Sequence, residues 1–365
     1  MVNSKDNPHI WLVIGDKPGD NAQVEIIAQA LRRPYQVRRV LPKAEFVLGK
    51  PRFEPSLYHL DLERSDPLQP PWPDFILTIG RRPSMAALWI QQQSGGHSRI
   101  ILLGRPRKWI ERFDLVIVPS QYRLPRRDNV LQLDLPLMKP NDAAVDDAAR
   151  QWRERFAALA PPLTALLVGG PTKPFRFDAR AAAELIERAQ RLRDESGGTL
   201  YVSTSRRTPA EVTAALREKQ EGATLLYCWN PQGGEQNPYL ALLGLADRFI
   251  VTGDSVSMMV EVARRGKPLA IFPLPYRRGV AARLRSLLAA NGQGEQADTR
   301  TQRLLDGLAR SGIAGYARDL TAIHQSLYRK GLAVPLGTPF LSGGNKAEDE
   351  VERVASRVRQ LMDAG

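Results

Sequence analysis

The sequence predicts an α/β protein built on parallel sheets, and three observations carry that expectation. Short apolar runs alternate along the chain with stretches whose apolar residues recur at helical spacing. These runs end in turns rich in Gly, Ser, Arg and Asp, at the strand ends where open parallel sheets place their ligands. With 365 residues the chain is long enough for two domains, each with its own core.

In the first half, His9 to Ile14 forms a strand that runs into Gly15-Asp16-Lys17-Pro18-Gly19-Asp20-Asn21, and a helix follows from Ala22 to Arg32. The loop is not a Walker A loop, because the Gly-Lys-Ser/Thr ending is missing. Val37 to Leu41 is the next strand. Pro42 to Pro73 is proline-rich and irregular, with ambiguous short strands around Phe46 and Tyr58. Asp74 to Ile79 is a strand ending in Gly80-Arg81-Arg82-Pro83-Ser84, with a helix running on to Gln93. Arg99 to Leu103 and Asp114 to Val118 are two more, ending in Gly104-Arg105-Pro106 and Pro119-Ser120-Gln121-Tyr122. Arg81, Arg82, Arg105 and Arg107 can hold an anionic acceptor or close on a donor diphosphate. The competing reading is that they are solvated loop arginines; Arg81, directly after a buried strand, is the best exception.

Pro136 to Asp147 reads as a linker, followed by a charged helix from Ala148 to Ala158. This divides the chain into an N-terminal Rossmann-like domain (1–140), a C-terminal one (141–345) and a closing helix (346–365). In the second half, Leu163 to Val168 ends in Gly169-Gly170, and a long amphipathic helix covers Ala179 to Glu195. Thr199 to Val202 ends in Ser203-Thr204-Ser205-Arg206-Arg207-Thr208-Pro209, with Thr208 as cap and Pro209 as first residue of the next helix. Thr224 to Cys228 is a further strand, and Asn237-Pro238-Tyr239 starts a short helix to Leu245. The run from Asp247 to Pro275 is one βαβ unit: a strand to Val251, the turn Thr252-Gly253-Asp254-Ser255, a helix with Val256, Met259, Val260 and Ala263 on its apolar face, and a strand from Pro268 to Phe272. The C-terminal segment from Lys346 to Met362 carries Val351, Val354, Ala355, Val358 and Leu361 at helical spacing. Its polar face mixes acidic and basic residues, which favours a packed helix over one lying on a membrane.

Parallel strands deliver their end turns to one edge of a sheet, so the Gly-Gly, Ser-Arg-Arg and Gly-Asp-Ser turns converge. Gly169 and Gly170 permit close backbone approach, Ser205 and Arg206 can pair with phosphate, and Ser255 and Ser257 stand beside the free N–H groups of a helix start. Glu261, one and a half turns along that helix, is placed to accept two hydrogen bonds from vicinal ribose hydroxyls. Two or three charge-assisted hydrogen bonds, each about 1.5–3 kcal/mol, suffice for micromolar nucleotide binding. A solvated helix carboxylate and an ordinary capped turn are the competing readings.

Composition narrows the remaining choices. A hydrophobic fraction of 43% and a charged fraction of 25% are those of a soluble globular protein, and no run approaches a spanning helix or a signal-peptide core. The expected location is therefore the cytoplasm, with peripheral association at the inner face of the membrane as an option. One cysteine, Cys228, excludes an intramolecular disulfide, and the scattered histidines predict no metal and no cofactor. The excess of 52 Lys and Arg over 39 Asp and Glu gives a net charge of +13, suited to phosphorylated substrates or an anionic membrane. Nucleic acid is not an expected partner, because no nucleic-acid module is present.

The strings STSRRTP, CWNPQGGEQNPYLALLGLAD and VTGDSVSMMVEVARRGKPLAIF, with GDKPGDNAQ near the start, resemble the mitochondrial fission (elongated mitochondria) protein family. Its bacterial members look like GT-B glycosyltransferases. The resemblance implies two Rossmann-like domains facing across a cleft, with a nucleoside-diphosphate sugar in the C-terminal one and Glu261 on the donor ribose. It further implies transfer to an envelope glycan or lipid-linked acceptor, or a non-catalytic scaffold acting in membrane organisation. The chain departs from the family pattern at Gln121 and Tyr122, where many members carry a His-Asp pair, and at Arg105, where an acidic residue is expected. For transfer, Gly169, Gly170, Ser205, Arg206, Ser255 and Ser257 would stabilise the leaving diphosphate without an obligatory metal. Asp16 or Asp20 would deprotonate the acceptor hydroxyl, a turn-stabilising role being the alternative for both. Gly19 and Arg81 would meet the acceptor or the diphosphate.

Overall fold

The structure is a computed structural model that describes residues 8–49, 51–122, 124–138, 141–276, 319–341, 347 and 350–364. The chain divides into two compact units. The first holds the N-terminal residues up to 138 and the C-terminal helix, and the second holds 141–276 with 320–341.

The first unit is a parallel sheet of β1 (Ile10–Ile14), β2 (Gln36–Arg39), β3 (Phe75–Ile79), β4 (Arg99–Leu103), β5 (Leu115–Pro119) and β6 (Val130–Leu133), in the order β2-β1-β3-β4-β5-β6. Strands β1, β3 and β5 are buried at every position, as expected where helices cover both faces. Their period of two divides the core. Ile10, Leu12, Ile14, Leu77 and Ile101 face one cluster with Val24, Ile27 and Leu31 of α1 (Pro18–Leu31). Trp11, Val13, Ile76, Ile100 and Leu102 face the other, with Met85, Leu88 and Ile90 of α3 (Arg81–Gln93).

The proline-rich stretch after β2 contains a short helix, α2 (Ala44–Leu48), where the sequence left strands around Phe46 and Tyr58 open. Phe46 and Tyr58 instead meet edge to face at 5.6 Å. Strand β6 was not expected; it is short, half-exposed and outermost in the sheet, so it lacks the continuous apolar run of its neighbours.

The second unit follows the same logic with β7 (Leu163–Val168), β8 (Thr199–Thr204), β9 (Thr224–Tyr227), β10 (Arg248–Thr252), β11 (Leu269–Phe272) and β12 (Val334–Pro335). Their order is β12-β11-β10-β7-β8-β9, and every pair is parallel. Helix α4 (Asp142–Ala157) begins inside the stretch read as a linker. Asp142 in its first turn pairs with Arg265 at 2.9 Å, and Val145, Trp152 and Phe156 bury its apolar face. Helix α5 (Ala179–Ser196) is capped by Asp178, whose carboxylate accepts the Ala181 N–H at 3.1 Å. Helix α6 (Ala210–Glu218) starts one residue later than expected, with Pro209 at the cap position. Thr208, expected as the cap, instead turns its hydroxyl toward Gly169 O at 2.7 Å. Helices α7 (Tyr239–Leu245), α8 (Val256–Arg264) and α9 (Thr321–Arg329) complete the unit.

Helix α10 (Glu350–Asp363) belongs to the first unit. Val354, Ala355, Val358 and Met362 enter the cluster beneath α1, with Val351 and Leu361 at its margin. Glu350 at its start accepts the N–H groups of Asp134 and Leu135 at 2.9 and 3.1 Å. Lys346, where the sequence begins this helix, lies outside the described residues.

Candidate functional site

Each sheet reverses its strand order once, and a doubly wound sheet binds ligands at that reversal, outside the carboxyl ends of the strands. In the second unit the reversal lies between β7 and β10; in the first, between β1 and β3. The turns singled out in the sequence fall at both points.

At the β7/β10 reversal the Gly-Gly turn is fastened to the Gly-Asp-Ser turn. The Gly169 N–H donates to Thr252 Oγ1, and the Gly170 N–H donates to Asp254 Oδ2, both at 2.8 Å. A Cβ on Gly169 would overlap the Asp254 carboxylate, and one on Gly170 would overlap the Arg207 backbone. The close approach that these glycines permit is thus the protein's own, and their N–H groups are occupied. Asp254 is only 2% exposed, and burial is the main cause of a carboxyl pKa above its ordinary value. Its Oδ1 has no partner, and neither has the hydroxyl of Ser255, itself 1% exposed at the cap position of α8. Ser257 is exposed on the first turn of that helix.

The Ser-Arg-Arg turn closes a third side. Thr208 accepts the Ser205 N–H at 2.9 Å. Both arginines of the turn are exposed; Arg207 lies 3.6 Å from the Asp254 carboxylate and donates to Thr172 at 3.0 Å, next to the Arg206 singled out in the sequence. Further along α8, the phenol of Tyr239 donates to Glu261 Oε2 at 2.6 Å. Burial raises the Glu261 carboxyl, with the Tyr239 hydrogen bond and Arg265 opposing, and it drives the Tyr239 phenol well above its usual range. Behind the turn, His324 Nε2 lies 2.7 Å from Gly253 O, and its ring stacks on Phe175.

At the β1/β3 reversal the turns enclose a cavity of about 290 Å³, lined among others by Lys17, Asp20, Asn21, Arg81 and Arg107. The two candidate bases differ here. Asp16 is held by Arg82 in an ion pair of 2.7 Å, and Arg82 also donates to Phe46 O at 2.5 Å. The Asp20 carboxyl lies beside Gly80, and burial raises its pKa against the pull of Lys17. Arg81 donates to Pro51 O while its Nε is buried without a partner. Gly19 stands in open space on the first turn of α1. The positions at which the chain departs from the family pattern also meet, since the Arg105 guanidinium lies 5.7 Å over the Tyr122 ring. Gln121 is buried, and its carbonyl accepts the Asp319 N–H at 2.7 Å.

The family model described as Mitochondrial fission ELM1 matches residues 18–310. The chain belongs to that family. Mitochondrial fission protein ELM1 of Arabidopsis thaliana is 27% identical over 242 residues, 60% of this chain and 56% of that protein. The chain therefore spans little more than half the length of that curated relative. An uncharacterized protein of Rickettsia prowazekii is 25% identical over 300 residues, covering 73% and 84% of the two chains. Among solved structures, the UDP-GlcNAc 2-epimerase of Methanocaldococcus jannaschii matches at 9% identity over 96% of this chain and 99% of that one, with a TM-score of 0.49. Medicago truncatula UGT71G1, complexed with UDP-glucose, matches at 10% identity over 99% and 100%, with a TM-score of 0.41.

The stretch matched by the ELM1 family model takes in the β7/β10 turns and all of α1 and α3. Of the residues in and around those turns, Asp254, Arg207, Tyr239 and His324 were not singled out in the sequence as site residues, and Thr208 was read only as a helix cap. Asp254 stood in a turn read for its serines, and Tyr239 in a helix start read for its Asn-Pro. Their roles depend on partners 22 to 84 residues away, as in Tyr239 with Glu261 and Asp254 with Gly170. Among the described residues no group of His, Cys, Asp and Glu side chains could hold a metal ion, and no helix is long and apolar enough to cross a membrane.

Proposed function

We propose that this ELM1-family chain binds a nucleoside-diphosphate sugar at the β7/β10 reversal and transfers the sugar to a glycan or lipid-linked acceptor. The observation that carries the reading is the N-terminal turn of α8. A buried serine hydroxyl without a partner stands there at the switch point, and a carboxylate on the same helix is held by a tyrosine. The unpaired N–H groups of that helix start, with Ser255, Ser257, Ser205 and one of the paired arginines, would take the diphosphate. Glu261 would accept from the ribose hydroxyls through the oxygen that Tyr239 leaves unused. Gly169 and Gly170 support this reading as the floor on which the Asp254 turn rests.

In the transfer step the acceptor oxygen bonds to the anomeric carbon as the bond from that carbon to the diphosphate oxygen breaks. The hydroxyl proton passes to a carboxylate and the electron pair leaves with the diphosphate. Asp20 is the better base, because Asp16 is already neutralised by Arg82 and burial brings the Asp20 pKa closer to neutrality. The net charge of +13 suits peripheral attachment to an anionic membrane face, where a lipid-linked acceptor resides.

One observation favours a second reading, a nucleotide-sugar-binding scaffold in membrane organisation. Arg105 and Tyr122 form a cation–π pair where family resemblance leads one to expect two acidic side chains, and Gln121 stands where a histidine is expected. Calorimetry of the chain with UDP-, GDP-, CMP- and ADP-sugars, with product analysis of the same mixtures, separates the two. Transfer requires that one sugar nucleotide binds and is turned over. Binding without turnover supports the scaffold, and no binding to any of them removes both readings.

A further inference from the structure

We propose that the cavity at the β1/β3 reversal is a binding site for a small compound bearing both a phosphate and a free hydroxyl. As the acceptor site this rests on the transfer reading; as a binding site it stands on the geometry of the first unit.

The cavity has more positive charge than it uses. Four cationic side chains line it, Lys17, Arg81, Arg82 and Arg107, against the carboxylates of Asp16 and Asp20. Arg82 is consumed by Asp16 and by the α2 carbonyls. Among the described residues the side chains of Lys17 and Arg107 make no hydrogen bond or ion pair, and the Arg81 Nε is buried without one. Arg107 stands close enough to Arg81 to lower its pKa, a like-charge repulsion second only to burial. Lys17 acts on the Asp20 carboxylate, whereas Arg81 and Arg107 stand together without a carboxylate to pair them, and two such cations are relieved by a doubly charged anion such as a phosphate monoester. The first turn of α1, at the same mouth, adds the positive end of a helix dipole.

A second polar group asks for something other than phosphate. Asn21 is 6% exposed and lines the cavity. Its amide N–H donates to Gly15 O at 2.9 Å, leaving Oδ1 buried without a donor. That oxygen can accept a hydroxyl, and the Asp20 carboxylate is a second acceptor in the same lining. Cations and two hydroxyl acceptors in one lining fit a sugar phosphate or a polyol phosphate. A volume of about 290 Å³ lies at the lower end for small-molecule pockets, which suits such a headgroup better than a nucleotide.

The test is titration of the full chain, without nucleotide, with glucose 1-phosphate, inorganic phosphate and glucose, and with phosphatidylcholine vesicles containing a phosphatidylinositol monophosphate. Glucose 1-phosphate is expected to bind more tightly than inorganic phosphate, and glucose not at all. Binding confined to the vesicles assigns the phosphate to a lipid headgroup. Arg107→Gln should weaken whichever probe binds by about tenfold to a hundredfold, and Arg81→Gln likewise. Among the described residues the Arg107 side chain makes no hydrogen bond or ion pair, so its variant decides even if Arg81→Gln fails to fold. Absence of binding by every phosphorylated probe, or unchanged affinity in Arg107→Gln, overturns the proposal. Loss of sugar-nucleotide binding in the parent chain, with glucose 1-phosphate binding intact, would remove the transfer reading and leave this site standing.

Discussion

The two switch points share a topology and differ in how they satisfy their polar groups. At β7/β10 the turns are fastened to one another through the Gly169 and Gly170 N–H groups, Thr252, Thr208 and Asp254, with Asp254 Oδ1 and the Ser255 hydroxyl left over. At β1/β3 the Arg82–Asp16 ion pair links the turns, and the cavity beside it keeps cationic groups without partners, the Arg107 side chain and the Arg81 Nε. Strand order alone therefore fixes where a ligand can go and not what it meets. In the second unit affinity must come from the start of α8 and from side chains such as Glu261, because the turn backbone is occupied. In the first unit the lining itself is available.

Glycine substitutions give the largest contrast between the two. Gly170→Ala should lower stability by about 3 kcal/mol, because the new Cβ meets the Arg207 backbone and no flexible side chain can yield. A midpoint of chemical unfolding equal to the parent's would break the comparison.

A pH effect of similar size belongs to the first unit. His59 is fully buried beneath Arg82, its Nε2 3.1 Å from the Arg82 carbonyl, and burial brings its pKa from 6.5 down to about 4. Between these values the unfolded chain binds the proton and the folded chain does not. Stability should therefore be intact above pH 6.5 and fall by about 3 kcal/mol as the pH drops to about 4. Unfolding curves across that window should show the slope, and His59→Gln should remove it.

Smaller effects sharpen the donor side. Glu261→Ala should weaken nucleotide binding by about 1–3 kcal/mol, and Tyr239→Phe by about 1 kcal/mol. The phenol hydrogen bond holds the Glu261 pKa down. Its loss should move the pH at which binding fades upward, a shift that a purely structural role of Tyr239 would not produce. Least of all, Gly19→Ala should stabilise the chain by about 0.5–1 kcal/mol, since its site is open and helical. Destabilisation there would mean that the β1/β3 turn is as closely packed as its counterpart.

Much of this was legible in the sequence. The strands stand out because parallel strands covered on both faces are continuously apolar, and the turns stand out by their Gly, Ser and Arg. The Ser255 turn and Glu261 fall where the helical spacing put them. The sequence missed Tyr239 and chose Arg206 over Arg207, because neighbouring residues of one type are separated only by where the backbone points. It missed β6 for a different reason: an edge strand needs no apolar run.

By itself, then, the sequence determined the alternation of strands and helices, the family, and the chemistry gathered at the strand ends, all of which depend on short-range patterns of apolar and polar residues. Only the tertiary structure decided the strand order. It also decided which turns flank each reversal, that Gly169 and Gly170 face Asp254 and Arg207, and that Asp16 is paired while Asp20 is not. Those outcomes rest on contacts between residues far apart in the chain, set by how whole sheets pair and pack, and local pattern carries no record of them.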